Sequence, residues 1–151
     1  MAINFTISGN PVSSKNSRPI YINKSTGARF IGKSRALKDY MDKGLGELKD
    51  EISYGAVIDS AGNGVYIKFV RTDKCEAMSI PITAPVEITF TFYVKDKRNY
   101  DLCNMCQAPL DLLKMANIIE DDNYKIVPSL DGSRIYIDKL NPRTEIEIKI
   151  L

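Results

Sequence analysis

The chain has 151 residues, of which 44% are hydrophobic and 26% charged, a size and composition that indicate one globular domain rather than a disordered or fibrous protein. It has no histidine, which excludes histidine-based catalytic triads and leaves carboxylates as ligands for a hard metal ion such as Mg²⁺. No apolar run approaches a membrane span, no signal peptide is recognisable, and the odd number of cysteines is typical of a reducing compartment. We therefore expect a cytoplasmic protein without a membrane partner.

The net charge of +2 hides an uneven distribution. Residues 1–38 carry seven basic side chains and no acidic one, whereas residues 101–122 carry five acidic side chains and one lysine. A basic arm beside an acidic patch suits a protein that binds a polyanion and holds divalent cations near its phosphates. An uneven, solvated surface is the alternative interpretation.

The first half of the chain predicts three short strands and a helix. Residues 1–8 alternate apolar and polar side chains, as in a half-buried strand, and residues 9–19 resemble an exposed loop. Residues 20–22 and 28–31 predict a hairpin. Ser34 is the expected N-cap of a helix whose apolar stripe recurs every three or four residues. The stripe comprises Leu37, Met41, Leu45, Leu48 and Ile52.

The second half predicts more strands and a second helix at about residues 104–115. The strands are expected at residues 65–70, 86–94, 124–127, 134–137 and 144–151, with an irregular connection over 71–85. Pro109 favours a regular helix that begins nearer Ala108. This order of elements predicts one α/β (α+β) domain over residues 1–151, with a mixed β-sheet and two main helices.

Acidic residues cluster around the second helix. If Asp101 opens that helix, then Asp101, Asn104 and Asp111 share one face. They are too far apart along the helix to share one ion directly. We expect a turn at Asn117 to bring the following acidic residues back toward Asp101. Those residues are Glu120, Asp121 and Asp122.

Crowded carboxylates raise one another's pKa unless a cation neutralises them, so such a cluster favours a divalent ion with open water positions. Mg²⁺ commonly uses one or two protein carboxylates and accepts phosphate oxygens from a substrate. The pattern therefore predicts metal-assisted phosphodiester hydrolysis. A second interpretation makes Asp101 a helix cap and the other acids solvated surface residues.

The stretch from residue 98 to 122 resembles the signature of RusA-type Holliday junction resolvases, D-x-D-N-x-x-K-x-x-x-D-x-L followed by D-D. The matching residues are Asp101, Asn104, Asp111, Leu113, Asp121 and Asp122. Residues 7–11, with Gly9 and Pro11, and the basic loop of Lys15 and Arg18 are similar to the family's opening. Together these segments cover about a third of the chain.

The resemblance implies a small homodimeric α/β endonuclease, common in phages and prophages and active in DNA recombination and repair, that uses Mg²⁺ to nick four-way DNA junctions. Mn²⁺ is the expected substitute, and a phage-encoded protein would act in the bacterial cytoplasm. Asp101 and Asp122 align with catalytic aspartates of the family. The metal ligands implied are Asp101, Asp122, Asp121, Asp111 and Asn104.

Two positions depart from the family pattern. Cys103 replaces the second catalytic aspartate, and Gln107 replaces a functional lysine. A thiol is a soft ligand that suits Mg²⁺ poorly, and glutamine removes a cation that would face phosphate. We expect an active or residually active nuclease because the other acids are present. The alternative is a degenerate relative that binds branched DNA without cutting it.

Basic side chains in the arm and before the second helix are the predicted contacts to the DNA backbone. They are Lys15, Arg18, Lys24, Arg29, Lys33, Lys97 and Arg98. A further alternative takes Glu147 and Lys149 as the E-x-K half of a restriction-type nuclease. Ordinary alternation along a charged edge strand explains that pair more simply.

Overall fold

Alternation of apolar and polar side chains at both ends of the chain builds the central sheet of the computed structural model, which describes residues 1–15 and 19–151. The helices are α1 (Arg35–Asp50) and α2 (Leu102–Met115). The strands are β1 (Ala2–Ser8), β2 (Ile20–Ile22), β3 (Arg29–Ile31), β4 (Ser53–Ile58), β5 (Gly64–Arg71), β6 (Ala77–Ser79), β7 (Val86–Val94), β8 (Arg134–Ile137) and β9 (Arg143–Ile150).

The central sheet has the strand order β1-β9-β7-β8. Strand β9 pairs antiparallel with both β1 and β7, whereas β8 runs parallel to β7, so the sheet is mixed as predicted. Every second residue of β7, from Val86 to Val94, is buried and the residues between them are half-buried. One face of the sheet therefore carries the core.

The two helices pack over that apolar face. Ser34 caps α1 by accepting a hydrogen bond from the Leu37 amide at 3.1 Å, as predicted. Gly44 lets α1 approach its neighbours closely, because a Cβ atom there would lie 2.8 Å from Leu112 and 3.0 Å from Ile7. The core consequently joins β1, β7 and β9 to both helices.

Two smaller sheets stand beside the central one. Strands β4, β5 and β6 form an antiparallel sheet, and β2 pairs with β3 as an isolated hairpin. The amide of Ala2 donates to Asp73 Oδ1 at 2.9 Å, and the amide of Asp73 donates to the Ala2 carbonyl at 2.7 Å. These bonds tie the three-stranded sheet to the start of β1.

Three expectations about single elements are wrong. Strands β4 and β6 lie in segments for which no strand was expected, and α2 continues unbroken through the buried Pro109. The strand expected at residues 124–127 does not form, because the amides of Ile126 and Val127 both donate to the Asn123 carbonyl in a tight turn. The local turn chemistry of asparagine outweighs the strand preference of the residues that follow it.

The fold class is confirmed: the described residues form a single compact α+β domain with a mixed sheet and two helices. Neither of these helices, nor any other part of the chain that the structure describes, forms a helix long and apolar enough to cross a bilayer.

Candidate functional site

A cleft of about 610 Å³ opens where three segments from distant parts of the chain meet. The segments are the loop after β1, the exposed side of the first half of α1, and the loop between β7 and α2. Asp101 lies at this cleft together with three basic residues, Lys43, Lys95 and Arg98. The cleft therefore combines the acidic residue of the resolvase-like motif with three basic side chains and a second carboxylate, that of Asp39.

The loop after β1 has a conformation that its sequence requires. Gly9 has a φ of +94°, which glycine adopts without a steric penalty, and its amide donates to the Pro142 carbonyl at 3.1 Å. The side chain of Asn10 accepts a hydrogen bond from the amide of Lys95 at 2.9 Å. The Gly9–Asn10–Pro11 segment is thereby fixed to the end of β7, and this bond places it beside Lys95.

Helix α1 contributes one side of the cleft through residues spaced three and four apart. These are Ala36, Asp39, Tyr40 and Lys43. The hydroxyl of Tyr40 lies 2.8 Å from Thr144 Oγ1, and burial raises the pKa of Tyr40 well above its usual range. Tyr40 is therefore neutral at physiological pH and anchors α1 to β9, whereas Lys43 stays exposed.

Arg98 is held by a local ion pair. Its Nε lies 3.0 Å from both carboxylate oxygens of Asp96, and the Tyr100 hydroxyl donates to Asp96 Oδ1 at 2.8 Å. These bonds from Arg98 and Tyr100 lower the pKa of Asp96 to about 2. Because Asp96 offsets the charge of Arg98, Lys43 and Lys95 carry the uncompensated positive charge; neither forms an ion pair within residues 1–15 and 19–151.

Asp101 is the N-cap of α2, so the helix-cap interpretation is confirmed. Its Oδ1 accepts a hydrogen bond from the Asn104 amide at 3.3 Å, and its Oδ2 accepts one from Asn104 Nδ2 at 3.0 Å. A carboxylate at a helix N-terminus is favoured by the helix dipole. A cap of this kind is exposed and keeps lone pairs free, so it is compatible with binding a cation as well.

Asp111 lies farther along the polar stripe of α2, as the helical spacing predicted. Its Oδ1 accepts a hydrogen bond from Gln107 Nε2 at 3.1 Å. Asp111 is ten residues beyond Asp101, a rise of about 15 Å along a helix, which exceeds the span of one ion. The two carboxylates accordingly do not meet.

Asp121 and Asp122 lie beside the C-terminal end of α2, at the opposite end of the helix from Asp101. Asn117 has a φ of 58°, and the amides of Asn117 and Ile118 donate to the carbonyls of Lys114 and Leu113, the pattern of a Schellman cap. The turn at Asn117 thus forms, but it directs the chain to Lys114. Lys114 Nζ lies 2.9 Å from Asp122 Oδ1 and 3.3 Å from Asp121 Oδ1.

The acidic pair has further donors of its own. Asn123 Nδ2 donates to Asp121 Oδ2 at 2.6 Å, and the amide of Asp122 donates to Asp121 Oδ1 at 2.9 Å. These bonds, followed by the contact with Lys114, lower the pKa of Asp121 to about 2. Beside these carboxylates, Lys114 therefore occupies the position that the sequence predicted for a metal ion.

The structure separates the five predicted ligands instead of gathering them. Thirteen positions of α2 separate Asp101 from Lys114, a rise of about 20 Å, and a lysine side chain spans only a small part of that distance. Asp101 and Asn104 lie at one end, Asp121 and Asp122 at the other, and Asp111 between them. Among the described residues, no group of three or more Asp, Glu, Cys or His side chains is arranged to hold an ion.

The donors near the cleft still fit Mg²⁺ in the way it most often binds. Asp101 supplies a carboxylate and Asn104 an amide oxygen, both hard ligands, and Mg²⁺ commonly takes its remaining ligands from water and substrate phosphate. Cys103 is exposed in the first turn of α2 beside them, but its sulfur is a soft ligand. Asp101 is accordingly the residue that would hold the ion at this cleft, whereas Asn104 turns its Nδ2 toward Asp101 and would offer its oxygen to the same ion only with its amide reversed.

The predicted DNA contacts that the structure describes lie in three segments of the chain. Lys24, Arg29 and Lys33 lie on or beside the β2–β3 hairpin, and Lys97 and Arg98 lie in the loop before α2. Lys15 is exposed in the segment that follows β1, and Arg18 lies outside the described residues.

Sequence reasoning missed two basic residues of the cleft, Lys43 and Lys95. The spacing of Lys43 from Ala36 and Tyr40 on one helix face was a usable signal, whereas Lys95 is recognisable only once its amide is seen to contact Asn10. Cys103 and Cys106 also have C-x-x-C spacing. Cys106 is buried, which raises the pKa of its thiol to about 11, so it is unreactive as a nucleophile.

The E-x-K alternative has a local explanation in the structure. Lys149 Nζ lies 2.6 Å from Glu147 Oε1, and both residues belong to β9, which is paired on both sides and is not the edge strand expected. The two charges therefore compensate each other on the open face of the sheet.

No protein-family model matches this chain, and no curated protein matches it either. The similarity to RusA-type resolvases consequently rests on the motif residues, and membership of that family stays a prediction.

Proposed function

We propose that this protein is a structure-selective, Mg²⁺-dependent endonuclease that resolves Holliday junctions or related branched DNA. The observation that carries the proposal is the cleft in which Lys43 and Lys95 lie with Asp101, the residue aligned with the first catalytic aspartate of the resolvase motif. Two lysines that form no ion pair with the described residues attract a phosphate, and a carboxylate in the same cleft supplies a ligand for a divalent ion.

Each residue of the cleft has a distinct task in this proposal. Lys43 and Lys95 bind the DNA backbone and orient it across the mouth of the cleft. Asp101 would hold the metal ion, with Mn²⁺ as a substitute for Mg²⁺, and Asn104 would be a further ligand with its amide reversed. When bound, such an ion polarises a phosphoryl oxygen and lowers the pKa of a water molecule. Arg98, held in place by Asp96, adds a bidentate donor group at the rim.

Asp122, the second proposed catalytic residue, needs a rearrangement to take part. It contacts Lys114 at 2.9 Å, so it reaches the ion at Asp101 only if that ion pair opens and the segment after Asn117 moves. The same holds for Asp121 as a ligand. Asp111 would be a ligand only if α2 itself unwound, because it lies within the helix about 15 Å along the axis from Asp101.

The wider context is proposed on the same basis. A four-way junction has two symmetric strands to cut, so we propose a homodimer that presents two clefts, as in the family that the motif resembles. We also propose that the protein acts in the cytoplasm, where a phage-encoded resolvase would meet its DNA.

The proposal is tested by nicking of a synthetic four-way junction in Mg²⁺ or Mn²⁺, comparing the parent protein with Asp101→Asn and Asp111→Asn. Asparagine is a good N-cap, so Asp101→Asn preserves α2 while removing the ligand charge. We expect Asp101→Asn to lose about 100-fold or more in rate, the scale at which removal of one group that stabilises developing charge acts. Asp111→Asn is the matched control and should keep its rate.

Two results would contradict the proposal. Nicking by Asp101→Asn at the parent rate would show that the cleft is not the catalytic site. Equal losses of nicking rate in Asp101→Asn and Asp111→Asn would indicate that both carboxylates bind one ion in another conformation. Tight junction binding by the parent without any cleavage would instead favour the non-catalytic alternative, which the replacement at Cys103, the replacement at Gln107 and the Lys114–Asp122 contact all support.

A further inference from the structure

The β2–β3 hairpin exposes apolar side chains on both of its faces. Ile20, Ile22 and Ile31 are 68%, 61% and 69% exposed, and Tyr21 and Phe30 are 40% and 52% exposed. Among the residues that the structure describes, the two strands pair only with each other. Exposed apolar residues this concentrated are uncommon on a surface without a partner.

The hairpin is locally well supported despite this exposure. Tyr21 and Phe30 face each other across the strands with their rings stacked 5.6 Å apart. The Tyr21 ring also lies over Gly32, where a Cβ atom would come within 2.7 Å of it. At the turn, Asn23 Oδ1 accepts hydrogen bonds from the amides of Ser25 and Thr26. The aromatic pair and the aliphatic residues are therefore presented on opposite faces of a defined ribbon.

The charge around the hairpin identifies the kind of partner. Lys24, Arg29 and Lys33 surround the apolar residues, and the chain has no acidic residue before Asp39. A second copy of this hairpin would bring like charges together, which disfavours self-association through this surface. A polyanion that also offers flat apolar groups complements both features, and DNA bases with their phosphates are such a partner.

We infer that the hairpin is a DNA-binding element that places its exposed isoleucines and the Tyr21–Phe30 pair against unstacked bases at a branch point. The inference rests on the proposed function for the identity of DNA as the partner. Lys24, Arg29 and Lys33 contact the flanking phosphates, while the apolar side chains occupy space that opens only where base stacking is interrupted. Linear duplex offers the phosphates but no such opening, so the hairpin favours branched DNA.

The test uses the double variant Ile22→Thr/Ile31→Thr, which keeps β-branched side chains and leaves every charge and the aromatic pair intact. Its matched control is Val57→Thr/Ile58→Thr, which makes the same kind of change at exposed positions of β4. Binding is measured with a synthetic four-way junction that carries 2-aminopurine at the branch point, and with linear duplex of the same length. Sedimentation gives the oligomeric state of each protein.

We expect the hairpin variant to lose at least tenfold in junction affinity and most of the 2-aminopurine fluorescence change. Its affinity for linear duplex and its sedimentation should stay unchanged, and the control should behave like the parent in every measurement.

Other outcomes overturn the inference in distinguishable ways. Unchanged junction binding by the hairpin variant, an equal loss on duplex, or an equal loss in the control would each remove the selective role of the hairpin. Dissociation of the hairpin variant into smaller species would assign the surface to self-association instead. If the parent protein itself fails to bind the junction, both the proposed function and the inference are wrong. If the parent binds, the result for the hairpin variant tests the inference alone.

Discussion

At the scale of single residues, the most informative position is Cys103. It is exposed in the first turn of α2, beside Asp101 and Asn104, at the place where the resolvase motif has an aspartate. The sulfur cannot replace a hard oxygen ligand for Mg²⁺. Compared with that motif, the chain therefore has one hard oxygen ligand fewer next to Asp101 and Asn104.

We predict that Cys103→Asp raises the affinity for Mg²⁺ and Mn²⁺ by about tenfold, because one added carboxylate increases the charge and number of hard ligands. Cleavage of a four-way junction should rise with it. The added charge also lies in the first turn of α2, where the helix dipole favours it. Calorimetric titration with each metal measures the affinity.

The control is Cys75→Asp, which introduces the same side chain at another exposed cysteine. Cys75 has a φ of 61°, a conformation that aspartate tolerates better than most residues. Equal gains in the two variants would show that added negative charge acts nonspecifically, and no gain at Cys103 would show that this position is not a ligand site.

At the scale of elements, two glycines in α1 have opposite roles. Propensity alone makes each of them cost about 1 kcal/mol in a helix relative to alanine. Gly46 is exposed, and a Cβ atom there would meet nothing within 4 Å. Gly44 is buried against the side chains of Leu112 and Ile7, which are themselves fully buried.

We predict that Gly46→Ala increases the free energy of unfolding by about 1 kcal/mol, because only helix propensity changes. Gly44→Ala gains the same helix propensity but adds an overpacking cost of about 1–3 kcal/mol, so it should instead decrease the free energy of unfolding by up to about 2 kcal/mol. Urea denaturation of both variants measures the difference. Stabilisation of similar size by both substitutions would mean that α1 and α2 are not packed as closely as the structure shows.

The C-terminal cap of α2 determines where the last acidic residues of the motif lie. Asn117 reverses the chain as its position suggested, but the amides of Asn117 and Ile118 are used within the cap itself, which keeps the reversal tight. The acidic residues that follow reach only as far back as Lys114. A motif that is compact in sequence is therefore spread along the length of a helix.

At the scale of the whole molecule, the positive charge is concentrated on the N-terminal arm and at the cleft. The arm carries the hairpin, and the cleft brings together Lys43 and Lys95, which lie more than fifty residues apart in sequence. Neither set is neutralised by the acidic end of α2, whose Asp121 and Asp122 are paired with Lys114. The protein consequently carries basic side chains at two places on its surface that could bind a polyanion, despite a net charge of only +2.

We predict that junction affinity falls steeply with salt, because each contact with a phosphate releases counterions. Replacing Lys95 by glutamine should reduce the slope of log K against log salt by about 1, while binding weakens uniformly across sequences. Lys125→Gln, at an exposed lysine near the other end of α2, is the control and should leave the slope unchanged. Identical slopes for the parent and Lys95→Gln would exclude Lys95 from the interface.

Sequence patterns were sufficient to predict those features of the structure that depend on residues close together in the chain. The alternation of β7, the Ser34 cap of α1 and the α+β class followed from local spacing, as did the common polar stripe of Asn104, Gln107 and Asp111. Residues 124–127 and Pro109 are exceptions. In the first case a turn at Asn123 forms in place of the expected strand. In the second, α2 contains a proline that would disrupt an isolated helix, because its packing in the core stabilises it.

The sequence by itself therefore determined the class of fold, the Ser34 cap of α1 and the residue types available for binding phosphate and a hard ion. Only the tertiary structure decided which of these residues lie together. It placed Asp101 in the same cleft as Lys43 and Lys95, and it paired Asp122 with Lys114. The reason is that spacing along a chain fixes the face and height of a residue within its own element. Which face another element presents to it depends on how the apolar surfaces of both are buried together.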